Sequence, residues 1–594
     1  MNFKCGRTVL RAAFVSFVAL IPWVVPLTAN AQPDEAKQLA TKVRDIFERN
    51  CHRCHGQNGA NEGGFNHALD FKKLVGGKVI AGNAAKSRVF NRLGVLRDMP
   101  PEDEKQRPTD DEIGLVKQWI EAGALAPPVG DVKPRPFIGL KDELTAMRDF
   151  LRKTGKDDRP FVRFFTLRHL HNMPADKVRD GDFRVHQAAL SKLLNSLSWK
   201  KEIVLPQPAD PAGTLFAVDL RRLNWDRGDL WREILKRYPY GLTHDQYPDD
   251  REINELADEV QFLSGTTIPA IRTDWFVATA ARPPLYHILL QLPSTADALE
   301  RRLEVDVSGN IQRGEITRAG FNASGVSGHN RLVERHATPH GAYWKSYDFK
   351  SSSGFGNLFV FPLGPRFAGN KFEKHAFKHD GGEIIFNLPN GLQGYLLVDG
   401  KDNRIDEGPI EVVSDSTKTS GTPLVVNGIS CMACHQHGMI HFKDQVRVGQ
   451  ILGGEPRDFV RRVYAEDKPM DTLVTRDEER FLTALDQAIG KLLKIGPDAG
   501  TDIKDFPEPI SAIGRWYLTQ ELTSTEAARE LGLEDSKQLE GAIAANPRLQ
   551  ELGLFPLTRG NTIKREVWEH TEFLISPAQE AFFQLKLGTP QTNR

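Results

Sequence analysis

Two pentapeptides, Cys51-His52-Arg53-Cys54-His55 and Cys431-Met432-Ala433-Cys434-His435, place two thiols and an imidazole in the same order and spacing. Thiols at this spacing can add to the two vinyl groups of one porphyrin. The histidine that follows can turn beneath the ring and bind its iron. With 5 Cys and 17 His in 594 residues, roughly 0.001 such pentapeptides are expected by chance, and two are present. Cys51, Cys54, Cys431 and Cys434 are therefore read as thioether positions for two covalent haem c groups, with His55 and His435 as axial iron ligands. A structural zinc site built on the two CxxC pairs is the competing reading, and it leaves the trailing histidine of each motif without a purpose.

The remaining cysteine, Cys5, lies in a stretch with the features of a secretory leader. Lys4, Arg7 and Arg11 form a basic start, Ala12 to Leu27 an apolar run, and Ala29-Asn30-Ala31 a cleavage site. Pro22 and Pro26 break the apolar run, which suits a leader (1–31, cut near Ala31) better than a spanning helix. Export fits covalent haem, which is attached outside the cytoplasmic membrane, and the expected location is the periplasm. The chain has 78 basic and 78 acidic residues. That balance argues against nucleic acid or anionic lipid as the main partner. The chain shows no second apolar stretch of spanning length, so the mature protein is expected to lack a transmembrane segment.

The elements that would position the first motif can be read around it. Residues 36–48 form an amphipathic pattern with Ala40, Val43, Ile46 and Phe47 on one face, delivering the chain to Cys51. Gly56, Gly59, Gly63 and Gly64 follow as a flexible wrap. Met99, in Asp98-Met99-Pro100-Pro101 about 44 residues beyond His55, is the expected sixth ligand on a proline-shaped loop. His67 is a less suitable alternative because it lies so close to His55. Thr109 as an N-cap, acids in the first turn, and Ile113, Val116, Trp119 and Ile120 ending at Gly123 predict a closing helix.

Residues 51 to about 126 resemble the planctomycete-type cytochrome c domain. The resemblance rests on Cys51 to His55, Gly63-Gly64, Gly82-Asn83 with Ser87, Met99-Pro100-Pro101 and Trp119-Ile120-Glu121-Ala122-Gly123-Ala124. It implies a mainly helical class I cytochrome c fold with His55 and Met99 as axial ligands. Further segments are similar to large exported planctomycete and myxobacterial proteins that carry a cytochrome c domain. They are Trp275 to Ala280, Gly325-Val326-Ser327 with Asn330-Arg331 and Glu334-Arg335-His336, and Phe386 to Val398. No activity comes with that likeness.

A proline-rich joint from Pro127-Pro128 to Pro134 and Pro136 separates the first module from the middle of the chain. Residues 140–265 read as mostly helical with one strand at Gly213 to Leu220. From 300 to 415 strand signals dominate, with Glu383 to Phe386 and Gly394 to Val398 joined across Asn390-Gly391. Pro283-Pro284-Leu285-Tyr286-His287 gives a rigid approach to one imidazole. Arg335 beside His336 suggests a peroxidase-like pair, a cation with a base. The sixth ligand of the second haem stays open between Met470, a histidine such as His441 or His287, and a vacant position. Thr523 to Glu526 forms a capping box within a helical tail.

The expected fold class is multidomain α+β. Residues 32–128 form the cytochrome c module, 129–420 an α+β middle with antiparallel strands, 421–495 the second haem segment and 496–594 a helical C-terminal region. The expected activity is electron transfer with redox partner proteins of the cell envelope. The alternative is a dihaem oxidoreductase acting on peroxide or another small substrate at the second haem. A redox-sensing or scaffold role is the third reading.

Overall fold

The computed structural model describes residues 33–594 apart from 53, 57–64, 103, 105, 128–134, 176, 245–249, 572–573 and 592–594. The leader, Gly59, Gly63, Gly64, Pro128 and Pro134 therefore lie outside the described residues. The described parts of Met1–Ile46 and Asp70–Pro128 form one compact unit, and those of Phe47–Leu69 and Val129–Arg594 form a second. The fold is mixed α and β, with several small sheets.

Helix α1 (Pro33–Asn50), whose residues up to Ile46 belong to the first unit, buries Ala36, Ala40, Val43 and Ile46 along one stripe, as its amphipathic pattern dictates. Helix α2 (Asp110–Glu121) begins at Thr109, whose Oγ1 accepts from Glu112 N at 3.2 Å while Glu112 Oε2 accepts from Thr109 N at 2.9 Å. This capping box satisfies two backbone donors that would otherwise be orphaned at the helix start. Val116, Trp119 and Ile120 are buried, with Phe71 edge-on to Trp119 at 5.3 Å. Gly82 N donates to Ile120 O at 2.7 Å, tying the Gly82-Asn83 turn to the end of α2.

The second unit starts its regular structure with α3 (Leu140–Lys153) and strand β1 (Val162–Thr166). Then come α4 (Asp180–Ser196), β2 (Gln207–Pro208) and β3 (Leu215–Asp219). Helix α5 (Arg251–Ser264), β4 (Ala270–Arg272) and α6 (Thr273–Ala280) follow. The four strands form a sheet in the order β2-β3-β1-β4, with β1 antiparallel to β3 and parallel to β4. A second sheet is an antiparallel meander of β5 (Thr317–Asn322), β6 (Asn330–Thr338), β7 (Gly341–Asp348), β8 (Gly381–Asn387) and β9 (Gln393–Asp399). The β8–β9 hairpin turns through Leu388 to Leu392, with Gly391 at φ +92°, a conformation glycine adopts without strain. Three elements complete the frame: α7 (Ile429–Cys434), α8 (Asp467–Leu485) and α9 (Pro509–Thr519).

One hydrophobic core runs from Phe165 to Phe582 and takes side chains from the middle region, the second motif and the C-terminal helices alike. The segments read as separate along the sequence share that core. No helix among the described residues is long and apolar enough to cross a membrane.

Candidate functional site

The second motif faces one side of the meander. Side chains alternate along a strand, so the register fixes which residues meet there. Arg331 pairs with Asp348, Val333 with Ser346, Trp344 with Ile385, and Glu383 with Leu397. All eight line a cavity of about 590 Å³, together with Cys431, Cys434 and His435. Phe321, Met439 and Phe442 add to a wall that is mostly apolar. The volume lies within the usual range of about 300–1,000 Å³ for cofactor and ligand sites.

Local backbone geometry sets the thiols and the imidazole. Helix α7 starts at Gly428 (φ 90°, ψ −81°), where an added Cβ would stand 2.4 Å from Ala281 O and 3.0 Å from the Tyr286 ring. His435 caps the helix, its N–H donating to Cys431 O at 2.8 Å. Its Nδ1 stands 3.0 Å from Gly438 O. A carbonyl only accepts, so Nδ1 carries the proton, and Nε2 is the ring nitrogen suited to a metal. Tyr395 stacks beside the imidazole at 6.2 Å.

The first motif has the same local form. His55 N donates to Cys51 O at 3.0 Å, and His55 Nδ1 stands 3.1 Å from Phe65 O. Two segments separated by most of the chain thus share the bond from the histidine N–H to the first cysteine's carbonyl and set the same imidazole tautomer. Comparison with family models, curated proteins and solved structures returned no match. The reading of both sites therefore rests on their own chemistry. Among the described residues, no group of three or more His, Cys, Asp or Glu is placed to hold a metal ion.

Two of the charged groups lining the cavity have close charged neighbours. Arg331 makes a two-point bond to Asp348, at 2.5 and 3.0 Å. Glu383 Oε2 stands 3.7 Å from His435 Nε2. Burial works to raise the Glu383 pKa, but when His435 is protonated on Nε2 as well as Nδ1, the position a metal would take, that imidazolium with Arg331 beyond brings it down to about 2. Burial pushes the Cys51 and Cys434 thiols up to about 12, and Cys431 well above its ordinary value, so all three are protonated near neutrality.

The sixth-ligand candidates separate clearly in space. Met470 is buried on α8 and is not among the described residues lining the cavity; neither is His287. His287 is held by Asn427 Nδ2 at 2.7 Å from Nε2 and by Asp406 at 3.4 Å from Nδ1. His441 does line the cavity, half-exposed between Asp471 and Glu478. Met439 also lies at the wall.

The Arg335–His336 pair is overturned by strand alternation. Arg335 points to the motif side and is spent on Asp477 at 2.8 and 3.0 Å. His336 points to the opposite face, fully buried, where Nε2 meets Glu334 at 2.8 Å. The cation and acid–base group at the cavity are instead Arg331 and Glu383. Their positions follow from strand register, which the sequence pattern shows only once the strand ends are known.

Met99 lies in the first unit, half-buried, in a loop held by a residue that sequence reasoning missed. The Arg107 guanidinium donates to Arg97 O at 2.9 Å, to Pro101 O at 2.6 Å and to Pro100 O. Arg92 adds an ion pair to Asp98 at 2.6 Å.

Proposed function

We propose that this chain is an exported dihaem c-type cytochrome that passes electrons between redox proteins of the cell envelope. One observation carries the reading: in both CxxCH motifs the histidine N–H donates to the first cysteine's carbonyl, and the histidine Nδ1 is engaged by a backbone carbonyl. Cys51 and Cys54 would hold one haem through thioethers with His55 beneath it, and Cys431 and Cys434 the other with His435. The apolar wall of the 590 Å³ cavity suits the second group. A bound haem supplies one-electron chemistry, with a potential set by its axial ligands and surroundings.

For this chain's own residues, the tasks are positional. Gly438 O and Phe65 O orient the imidazoles. Arg107 shapes the loop that presents Met99, the proposed sixth ligand of the first haem. This assignment agrees with the likeness of residues 51–126 to planctomycete-type cytochrome c domains. The meander excludes water from one side of the second site.

A second reading, a dihaem oxidoreductase, is favoured by the half-buried Arg331 and Glu383 at the cavity wall. Such convergent polar groups could bind peroxide or another small substrate. Mass spectrometry of the chain matured in a host that attaches c-type haem tests the main reading. Two added haem masses are expected, falling to one in Cys431→Ala/Cys434→Ala; a chain without covalent haem would refute it. Carbon monoxide binding to the reduced protein, counted per haem, then separates the two readings. No binding supports electron transfer, whereas binding at one haem marks an open site and supports catalysis.

A further inference from the structure

A second cavity, of about 320 Å³, lies elsewhere in the second unit and shares no lining residue with the first. Helices α3 and α5 give it an apolar side, through Leu144, Met147, Ile253 and Val260. Its other end is polar and deeply buried. His169 lines that end at 4% side-chain exposure, with Nε2 2.9 Å from Asp274 Oδ2. Asp274 stands behind the ring, not among the described lining residues, and accepts from Trp275 N at 2.9 Å through Oδ1. Burial opposes its ionisation, but His169, Arg565 and Arg272 hold its pKa well below the usual carboxylate range.

An ionised carboxylate only accepts, so His169 Nε2 carries a proton, and in the singly protonated ring Nδ1 is an acceptor. Nδ1 makes no hydrogen bond to any described residue. The arrangement is that of a base oriented by a buried acid, with a cavity in front of it.

The surrounding charges say what kind of molecule fits. Arg168 is paired with Glu143 at 2.9 Å, and Arg272 with Glu530 at 2.7 Å. At the mouth, Lys141 is paired with Glu252 at 2.6 Å. With these cations paired, an anionic ligand would lose its hydration without gaining a free counter-charge. A neutral body matches the apolar side, a hydrogen-bond donor matches Nδ1, and the volume is near the small end of the ligand-site range. We propose that this cavity binds a small neutral molecule made of an apolar ring and a hydroxyl, a phenol in chemical class, whose O–H donates to His169 Nδ1.

The test is calorimetric titration of the full haem-loaded protein with phenol and with toluene, which has the ring without the hydroxyl. Saturable one-to-one binding of phenol is expected. In His169→Leu the phenol-to-toluene affinity ratio should fall about tenfold, the value of one buried hydrogen bond. Ala257→Phe, which fills the cavity from α5 and leaves the polar end intact, should abolish binding of both. Absence of phenol saturation, an unchanged ratio in His169→Leu, or full binding in Ala257→Phe would each overturn the proposal.

Discussion

Replacing Gly428 by Ala should cost far more than a methyl group normally does, because this glycine sets where the second motif begins. Its φ of 90° and ψ of −81° lie where a side chain strains the backbone, at about 1–3 kcal/mol. The new Cβ would also press on Ala281 O at 2.4 Å and on the Tyr286 ring at 3.0 Å. Neither neighbour yields easily. Ala281 and Tyr286 are both fully buried, and the Tyr286 hydroxyl accepts from Tyr395 N at 2.9 Å. Overpacking of this kind adds about 1–3 kcal/mol, for a total near 4 kcal/mol, a large share of a typical domain's stability. Gly421→Ala is the internal control: φ is +87°, but no atom lies within 4 Å of the new Cβ, so only the strain of about 1 kcal/mol remains. Urea unfolding followed by tryptophan fluorescence should show a much earlier midpoint for Gly428→Ala than for Gly421→Ala, at similar slopes. Equal midpoints would refute the claim that close backbone contact fixes the start of α7.

Met99→Ala should lower the potential of the first haem and let reduced protein bind carbon monoxide there; an unchanged redox titration would rule out Met99 as a ligand. Asp477→Ala should destabilise the second unit by about 3–5 kcal/mol in urea, because Arg335 would be left charged and buried without its partner. Burial, with Arg404 nearby, lowers the His287 pKa to about 4 in the fold, against about 6.5 when unfolded. Between these values the unfolded chain binds more protons, so stability rises with pH from about 4 to 6.5 and is flat above, a gain of at most about 3 kcal/mol. His287→Gln should flatten that slope in denaturant titrations across pH 4 to 7, and an unaltered slope would place the titrating group elsewhere.

What could be read along the chain was chemistry and punctuation. The two motifs, the Thr109 capping box and the Asn390-Gly391 hairpin each depend on a few neighbouring residues. Strand β1 was not legible: all five of its residues are buried, so it lacks the alternation that marks a half-exposed strand. The reading of 140–265 as mostly helical therefore held for its helices but missed a central strand of the first sheet. The same limit applied at the site. Arg335 and His336 are adjacent in sequence and opposite in space, and Arg107 reaches the Met99 loop only through the folded backbone. Gly428 matters because of Ala281 and Tyr286, contacts that no local pattern could announce. The sixth ligand depended in the same way on which side chains the packing brings to the wall.

The meander has a consequence in time. Every strand from β5 to β9 pairs with its immediate neighbour in sequence, and all but one of the connections are short, the exception being residues 349–380 between β7 and β8, so most of the sheet needs only local loops closed to form. A growing or translocating chain presents its N-terminal parts first, and all five strands precede Cys431. The receiving face can therefore be finished before the thiols it serves have emerged. Assembly of the second site then becomes the docking of one short helix onto a surface already made.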